Sequence, residues 1–507
     1  MIGRAISRKT KIAEYSYDDV AGKSAKKSVA WNALSLVGRQ GLLIVFSLVL
    51  ARILGPESYG VVAQANVYMV VATLLLDQGL TASLVSRSRI SRRVVAAAAG
   101  LNLTLAAVMM LVTYLTAPMV ASFFSSPQLI EVLWVLGAGL VFKALAIVPR
   151  MLLTRTFAFR AIAIADVLGA FLGGFLGLIF AMQGAGYWSL VIQLVVSDAF
   201  VAVVLLIAAR APIPSLRFVE LNGTIKFGIK IFVGNLFSVA SRNTDNLVVG
   251  RILGSGALAL YSLAYRVLLT PVQMVGQVVT RVLLPAVARS QNDLERVSLL
   301  TLRSISSISI VSFPLMALIA ISAEDSVNLV LGNQWAGAVP VLQILALTGA
   351  RQAVTAVNAP ILIGLGKANT HLRFNIIAAI VQVGGILIGL QGGIVGVAWG
   401  YTISGILLTP YIIFLQKRLV GTTIRDMFLA VFPAFHASFW AAGAYLILNL
   451  SAMPLILRMS VGLVSATIIY IGILWIAHRK FSRIQLSLFK EMFRKRSQED
   501  ISIRKLT

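Results

Sequence analysis

Apolar stretches of about 20 residues recur along the whole chain and are separated by short polar segments. A helix of that length crosses the hydrocarbon core of a bilayer, where every backbone N–H and C=O group must be paired within the protein. A mean hydropathy of +0.90, with 58% hydrophobic and only 12% charged residues, excludes a water-soluble domain. The sequence therefore predicts an all-α polytopic membrane protein with about 14 transmembrane helices. We number the predicted spans 1 to 14: 29–51, 61–85, 94–117, 129–148, 161–182, 187–208, 230–250, 258–280, 304–323, 338–362, 374–390, 394–415, 429–449 and 455–477.

The basic residues lie almost entirely on one side of this predicted topology. The chain has 44 Lys and Arg residues against 18 Asp and Glu, a formal net charge of +26. With both tails and the even-numbered connections assigned to the inside, and with Lys230 and Arg458 at the ends of spans 7 and 14 counted on the side that they adjoin, 36 of the 44 lie inside and three lie outside. This bias follows the positive-inside rule, so it predicts cytoplasmic termini and argues against nucleic acid as a partner. The basic tails suit the anionic headgroups of membrane lipids. The five basic residues within spans are Arg39, Lys143, Arg242, Arg266 and Arg351.

Several kinds of catalytic and cofactor site are missing from the sequence. The chain has no cysteine, and His371, His436 and His478 do not have the spacing of a metal-binding pair. The segment GLGK at 364–367 lacks the spacing and the following Ser or Thr of a phosphate-binding loop. No Ser/His/Asp set presents itself, and no connection is long enough for a nucleotide-binding domain. These absences favour a transporter without metal or cofactor over an enzyme.

Two halves of the chain repeat each other. The segment LVLARILG at 48–55 returns as LVVGRILG at 247–254, and the pattern N-x-x-S-x-x-x-R begins at Asn32 in span 1 and again at Asn235 in span 7. Because an even number of spans separates the copies, the halves share one orientation in the membrane, as in a parallel repeat. The predicted division is a basic tail 1–28, an N-terminal lobe 29–210 of spans 1–6, a linker 211–229, a C-terminal lobe 230–418 of spans 7–12, spans 13–14 at 419–478 and a basic tail 479–507.

Polar side chains recur at helical spacing within several spans and form stripes that lipid cannot solvate. Arg39, Arg266 and Arg351 have no acidic residue three or four positions away, so each needs a partner from another helix, from water or from a ligand. A guanidinium binds phosphate and carboxylate oxygens through paired hydrogen bonds, so converging arginines favour an anionic substrate. The candidate substrate-binding residues of a cavity are Arg39, Arg242, Arg266, Arg351, Asn32, Asn235 and Gln273, and the candidates for ion coupling are Asp77 and Asp245.

Some charged residues within spans also have a purely structural interpretation. Arg242 and Asp245 lie three positions apart and can neutralise each other. Lys143 lies about one turn from the predicted inner end of span 4, from which its ammonium can reach the headgroups. Asp166 and Asp198 can cap neighbouring helices or hydrogen-bond to them. The sequence leaves these alternatives open.

The first lobe resembles a known transporter family. The segment ARILGPESYG at 51–60 follows span 1, LLLDQGLTASLV at 74–85 ends span 2, and the basic connection SRSRISRR follows at 86–93. This order is similar to that of the polysaccharide transporter family, which includes Wzx-type oligosaccharide flippases, within the multidrug/oligosaccharidyl-lipid/polysaccharide superfamily. The resemblance extends over the arrangement of six, six and two spans.

This resemblance implies a fold, a substrate and a location. The fold would be two six-helix lobes around a central cavity that opens alternately to the two sides of the membrane. The substrate would be an oligosaccharide repeat unit on polyprenyl pyrophosphate, moved from the cytoplasmic to the outer leaflet of the bacterial inner membrane. The expected partners are a glycan polymerase and the chain-length machinery. Spans 1, 2, 7 and 8 would line the cavity, and Arg351 on span 10 departs from that expectation.

Three other functions compete with this interpretation. A cation-coupled multidrug antiporter of the same superfamily would share the two lobes, although cationic stripes argue against it. A membrane enzyme acting on lipid-linked glycans is disfavoured by the short outer loops and the internal repeat. A lipid II flippase would have a similar fold, and the sequence alone does not separate one lipid-linked glycan from another.

Overall fold

The computed structural model describes residues 15–16, 24–77, 84, 89–218, 243–451 and 453–487, which are helical almost throughout. In this part of the chain, nine helical stretches are long and apolar enough to cross a membrane. Two of them, Gly38–Leu76 and Ala368–Val420, each cover two predicted spans. One antiparallel pair of two-residue strands, Tyr15–Ser16 and Arg89–Ile90, accompanies the helices. The predicted all-α, multi-pass membrane fold is confirmed, and the count of fourteen spans stays a prediction.

The chain forms two compact units, Met1–Leu260 and Tyr261–Thr507. In the first unit, spans 1 and 2 run together as one kinked helix. The kink lies at Gly55, whose φ of 73° favours glycine, and the next residue is Pro56, which lacks a backbone N–H. The helices that lie in or begin in this unit are Ser24–Asp77, Arg92–Phe124 (span 3), Leu129–Arg155 (span 4), Phe159–Met182 (span 5), Trp188–Ala209 (span 6), the helical residues 243–252 of span 7, and Gly254–Arg289 (span 8).

In the second unit, span 10 is interrupted. Its longer part ends at Thr355, and a short helix resumes at Asn358. The helices that lie wholly in this unit are Leu294–Ile321 (span 9), Ala323–Val330, Ala338–Thr355 and Asn358–Gly364 (span 10), Ala368–Gly389 (span 11), Gly393–Val420 (span 12), Ile424–Asn449 (span 13) and Leu455–Ile476 (span 14), with 3₁₀ turns at Asn333–Trp335 and Leu390–Gly392.

Each unit contains a pair of consecutive helices in close backbone contact. Between spans 5 and 6, a Cβ added to Gly173 would lie 2.9 Å from Cβ of Ser197. Between spans 11 and 12, a Cβ added to Gly385 would lie 2.6 Å from the carbonyl oxygen of Gly400. Small residues at such contacts allow helices to approach in a membrane, where no hydrophobic effect drives helix association. The contacts occupy corresponding positions of the predicted six-span repeat.

The described part of span 7 packs within the first unit. The side chain of Gln64 donates a hydrogen bond of 3.1 Å from Nε2 to the carbonyl oxygen of Gly250, and Ser126 Oγ donates to Gln64 Oε1 at 2.9 Å. The guanidinium of Arg251 lies 5.3 Å from the ring centroid of Phe123. Residues 243–260 thus belong to the first compact unit. The predicted lobe division at 211–229 remains a prediction.

Candidate functional site

The first unit holds a cluster of charged side chains from spans 4, 5 and 6. Arg150 donates two hydrogen bonds to Asp166, of 3.0 and 2.6 Å, in the paired geometry that suits a guanidinium and a carboxylate. Lys143 Nζ lies 3.6 Å from Asp198 Oδ2. Both carboxylates therefore interact with a neighbouring helix, which was one of the two interpretations open from the sequence.

The position of Lys143 differs from the predicted one. The helix of span 4 was predicted to end at 148, but it continues through Pro149 to Arg155. Lys143 thus lies about three turns from the helix end rather than one. Its ammonium pairs with Asp198 of span 6. This pair was not predicted because its members are far apart along the chain.

Arg39 is exposed on span 1 beside this cluster. Its neighbour Gly38 packs span 1 onto span 5, where an added Cβ would lie 3.3 Å from Val167. Asp198 interacts electrostatically with Lys143, Arg39 and Arg150. Arg39 makes no hydrogen bond or ion pair with the described residues. The cluster of Arg39, Lys143, Arg150, Asp166 and Asp198 therefore carries more positive than negative groups, and Arg39 is its exposed cation.

In the second unit, Arg351 lies between spans 10 and 12 and makes no ion pair with a described residue. Its guanidinium rests on Gly405, where an added Cβ would lie 2.6 Å from Cζ and 2.7 Å from Nε. The Nε atom is buried and has no hydrogen-bond partner among the described residues. Tyr401 is an electrostatic neighbour of the guanidinium. The glycine thus provides space for a half-buried cation that no described acidic side chain neutralises.

Polar side chains surround this arginine. Gln352 Nε2 donates a hydrogen bond of 2.8 Å to the hydroxyl of Tyr401, and the hydroxyls of Tyr401 and Tyr265 lie 3.3 Å apart. One turn along, Thr348 and Thr402 share a hydrogen bond of 2.7 Å between spans 10 and 12. Tyr265 directly precedes Arg266, whose side chain is exposed on span 8. The second unit therefore brings together two aromatic hydroxyls, an amide and the guanidinium of Arg351.

Other predicted site residues are described in part or not at all. Arg242 and Asn235 lie outside the described residues. Asn32, Gln273 and Asp77 lie on described helices, but their side chains are outside the described part of the structure.

Asp245 is buried, with 3% of its surface exposed, and its Oδ1 accepts a hydrogen bond of 2.8 Å from the backbone N–H of Asn246. A buried carboxylate needs hydrogen bonds or a cation to offset its desolvation. The described contacts of Asp245 do not test its predicted role in ion coupling, which stays a prediction.

A buried ion pair joins three helices of the second unit and was not predicted. Arg458 of span 14 pairs with Asp325 of the short helix Ala323–Val330. The hydroxyl of Tyr445 in span 13 donates to the other carboxylate oxygen at 3.0 Å. The side chain of Asp325 is 9% exposed and that of Arg458 is 23% exposed. Asp325 and Arg458 lie 133 positions apart, so the sequence indicated only that Arg458 lies near the outer end of span 14.

Two histidines meet where span 14 ends. Nδ1 of His436 lies 3.2 Å from Nε2 of His478, and the indole N–H of Trp440 donates to His436 Nε2 at 3.1 Å. Because an indole nitrogen only donates, His436 Nε2 is the acceptor, and its Nδ1–H then donates to His478. Nε2 of His478 is then the acceptor in this contact and cannot carry a proton while it accepts.

Acidification is expected to weaken this histidine contact. Burial, and then the proximity of His436, lower the pKa of His478 below its ordinary value of 6.5. A base with a lowered pKa in the folded state contributes stability above the pKa of the unfolded chain, and that stability is lost as the pH falls below about 6.5. The melting temperature of the detergent-solubilised protein should thus fall between about pH 7.5 and pH 5.5. The slope should be shallower in His478→Gln, and an unchanged slope would contradict this assignment.

Within the described residues, no group of three or more His, Asp or Glu side chains is placed to hold a metal ion. In the charged groups described above, Lys and Arg side chains outnumber the carboxylates.

The family of the chain follows from comparison with known proteins. A family model described as "Polysaccharide biosynthesis protein" matches residues 49–340, more than half of the chain. The chain belongs to this polysaccharide biosynthesis family. The resemblance stated from 51–60 and 74–85 is therefore confirmed.

Two curated relatives match most of the chain. The chain is 26% identical over 417 residues to the lipopolysaccharide biosynthesis protein WzxC of Escherichia coli (strain K12), covering 80% of this chain and 84% of that protein. It is 26% identical over 478 residues to the succinoglycan biosynthesis transport protein ExoT of Rhizobium meliloti (strain 1021), covering 92% of this chain and 96% of that protein. Both matches thus extend well beyond the region of the family model.

Solved structures with the same fold include two kinds of transporter. A lipid II flippase, MurJ, in an inward closed conformation superposes with a TM-score of 0.71 and 13% identity, covering 89% of this chain and 99% of that one. An inward-facing multidrug resistance MATE family transporter superposes with a TM-score of 0.60 and 16% identity, covering 77% of this chain and 98% of that one. At 13% and 16% identity, these structural similarities establish the fold of the chain. The fold alone does not show whether the transported substrate is a glycan or a drug.

Proposed function

We propose that the chain is a flippase that moves a polyprenyl-pyrophosphate-linked oligosaccharide repeat unit from the cytoplasmic to the outer leaflet by alternating access. The repeat unit would be a precursor of exopolysaccharide, O-antigen or capsule. The observation that carries this proposal is the excess of guanidinium groups over carboxylates around Arg39 in the first unit and Arg351 in the second. A membrane protein retains such charges where a substrate needs them, because each is costly within the bilayer.

The exposed cation of the first unit suits a pyrophosphate. Arg39 has its fork of N–H donors accessible on span 1, and Lys143 and Arg150 lie near the same carboxylate, Asp198. A pyrophosphate carries several negative oxygens, so it gains more than a neutral headgroup from a site with net positive charge. The names of the relatives, a lipopolysaccharide biosynthesis protein and a succinoglycan biosynthesis transport protein, support the same substrate class.

A multidrug antiporter is the second candidate, since a MATE transporter shares the fold. Drugs of that class are amphipathic cations by the family resemblance, and guanidinium groups with no acidic partner among the described residues would repel them. A membrane enzyme on lipid-linked glycans is the third, and the relative named as a transport protein and the flippase with a similar fold both support transport instead. The glycan flippase is therefore the function that fits these charges best.

The remaining assignments extend this proposal. Arg242, Arg266, Asn32, Asn235 and Gln273 are proposed to assist in substrate binding, and Asp77 and Asp245 to couple transport to an ion. The positive-inside bias supports a bacterial inner-membrane location with both termini in the cytoplasm. A glycan polymerase and the chain-length machinery are proposed as partners, since the translocated repeat unit must be polymerised on the outer side.

Replacing Arg39 by alanine is expected to reduce translocation about tenfold, the loss expected when one charge-assisted hydrogen bond is removed. The measurement uses proteoliposomes that contain a fluorescent polyprenyl-pyrophosphate oligosaccharide and a membrane-impermeant quencher. Arg39→Lys should give an intermediate rate, because lysine keeps the charge and loses the paired donors.

Arg373→Ala is the control for this experiment, since Arg373 is also exposed and lies at the start of span 11. It should translocate at the wild-type rate. Equal rates for Arg39→Ala and Arg373→Ala, at equal amounts of folded protein, would contradict a role for Arg39 in substrate handling.

A further inference from the structure

In each unit, a cation on one span lies against the span that comes two later in the chain. In the first unit Lys143 on span 4 lies against span 6, and in the second Arg351 on span 10 lies against span 12, six spans later. The partner of Lys143 is the carboxylate of Asp198. The partner surface of Arg351 is the backbone of Gly405 and the side chain of Tyr401, both uncharged. Of Lys143 and Arg351, only Arg351 lacks an acidic partner among the described residues.

The guanidinium of Arg351 lies in a space left by the missing side chain of Gly405, which we call its seat. An added Cβ at Gly405 would come within 2.6 Å of Cζ, so only glycine leaves room for the planar group against span 12. The buried Nε has no partner among the described residues. An unneutralised guanidinium costs free energy within a membrane, and a bound oxyanion would offset that cost through a paired set of hydrogen bonds.

The groups beside Arg351 are those that bind sugars. Gln352 uses Nε2 to donate to Tyr401, and its Oε1 has no hydrogen-bond partner among the described residues. Tyr265, half-buried, places a ring and a hydroxyl next to Tyr401. Aromatic rings with hydroxyls and an amide oxygen can accept and donate hydrogen bonds to neutral hydroxyl groups. The ligand indicated by these groups has an anionic group next to hydroxyls.

We propose that Arg351, seated on Gly405 and flanked by Gln352 and Tyr401, binds a carboxylate of the transported glycan and makes the protein selective for acidic repeat units. This inference rests on the proposed flippase function. A carboxylate presents two oxygens in one plane, which matches a single guanidinium fork. A pyrophosphate carries more charge than one guanidinium neutralises, so it is better served by the several cations near Arg39.

Two variants separate the charge of this site from its geometry. Arg351→Gln removes the charge. Gly405→Ala keeps the charge but forces the guanidinium from its seat, since the new methyl would overlap Cζ and Nε. Gly443→Ala is the matched control, because a Cβ added at Gly443 meets nothing within 4 Å. Melting temperatures in detergent identify any variant that is simply misfolded.

Binding is measured first, without translocation, by equilibrium dialysis of the solubilised protein with a galacturonic acid oligosaccharide and its carboxyl-reduced, neutral counterpart. The wild type and Gly443→Ala should bind the acidic oligosaccharide at least about tenfold more tightly than the neutral one. Arg351→Gln and Gly405→Ala should lose this preference and bind the two oligosaccharides about equally. Equal binding of both probes by the wild type, or a preference that survives in Arg351→Gln, would overturn the proposal.

Translocation of the two corresponding polyprenyl-pyrophosphate glycans then tests the link to function. Arg351→Gln should slow the acidic substrate about tenfold more than the neutral one. Equal slowing of both would assign Arg351 to the pyrophosphate or to folding and overturn the carboxylate assignment. If the wild type moves neither lipid, the flippase function fails, whereas the binding preference still decides whether Arg351 recognises a carboxylate.

Discussion

Replacing Asp325 by alanine is expected to lower the free energy of unfolding by about 3 to 5 kcal/mol, the cost of leaving one member of a buried ion pair without its partner. The loss would leave the guanidinium of Arg458, only 23% exposed, without its carboxylate. Its Nε already lacks a hydrogen-bond partner among the described residues. The hydroxyl of Tyr445 would also lose its acceptor, at present 3.0 Å away.

The measurement is thermal unfolding of the purified protein in detergent, with Glu324→Ala as the control. Glu324 precedes Asp325 in the same helix and is exposed, so its removal should leave the melting temperature nearly unchanged. Changing Asp325 to alanine and Arg458 to methionine together should be less harmful than Asp325→Ala alone, because no charge is then left buried. Equal melting temperatures for Asp325→Ala and Glu324→Ala would contradict a stabilising ion pair.

Replacing Gly385 by leucine is expected to separate spans 11 and 12 and to destabilise the protein by about 3 kcal/mol or more, the upper range for overpacking. The Cβ would meet the carbonyl oxygen of Gly400 at 2.6 Å, and backbone atoms do not move aside as flexible side chains do. Gly384→Leu is an unusually close control. A Cβ at Gly384, one position earlier in the same helix, meets nothing within 4 Å.

Both glycine variants raise helix propensity equally, so a difference between them isolates the contact between the helices. The yield of monodisperse protein and its melting temperature should fall in Gly385→Leu and stay near wild type in Gly384→Leu. If both variants behave alike, spans 11 and 12 do not depend on this close approach.

The sequence was sufficient for the fold class because hydropathy acts locally. Runs of apolar residues predict helices wherever lipid is the solvent, and span 5, predicted at 161–182, is the helix Phe159–Met182. The ends of helices within continuous apolar runs were harder to predict. The helix of span 4 passes its predicted end because Pro149 is accommodated inside it, and the break in span 10 after Thr355 left no clear signal in the hydropathy.

The partners of the charged residues could not be predicted from the sequence. The spacing of charged residues along span 1 predicted that Arg39 needs a partner outside its own helix. The neighbouring carboxylate, Asp198, lies 159 positions away along the chain and is visible only in the fold. Asp325 and Arg458 likewise lie 133 positions apart. Spacing within one helix identifies which charges need a partner, whereas the partner depends on how helices pack.

The most direct test of the central claim is translocation by the purified wild-type protein in proteoliposomes. One set carries a fluorescent polyprenyl-pyrophosphate oligosaccharide with an impermeant quencher outside, and a second set contains an amphipathic cationic dye. A flippase for lipid-linked glycans should move the labelled lipid between leaflets faster than protein-free vesicles and leave the dye where it is. Transport of the dye with no movement of the lipid-linked glycan would contradict this account and favour a multidrug antiporter.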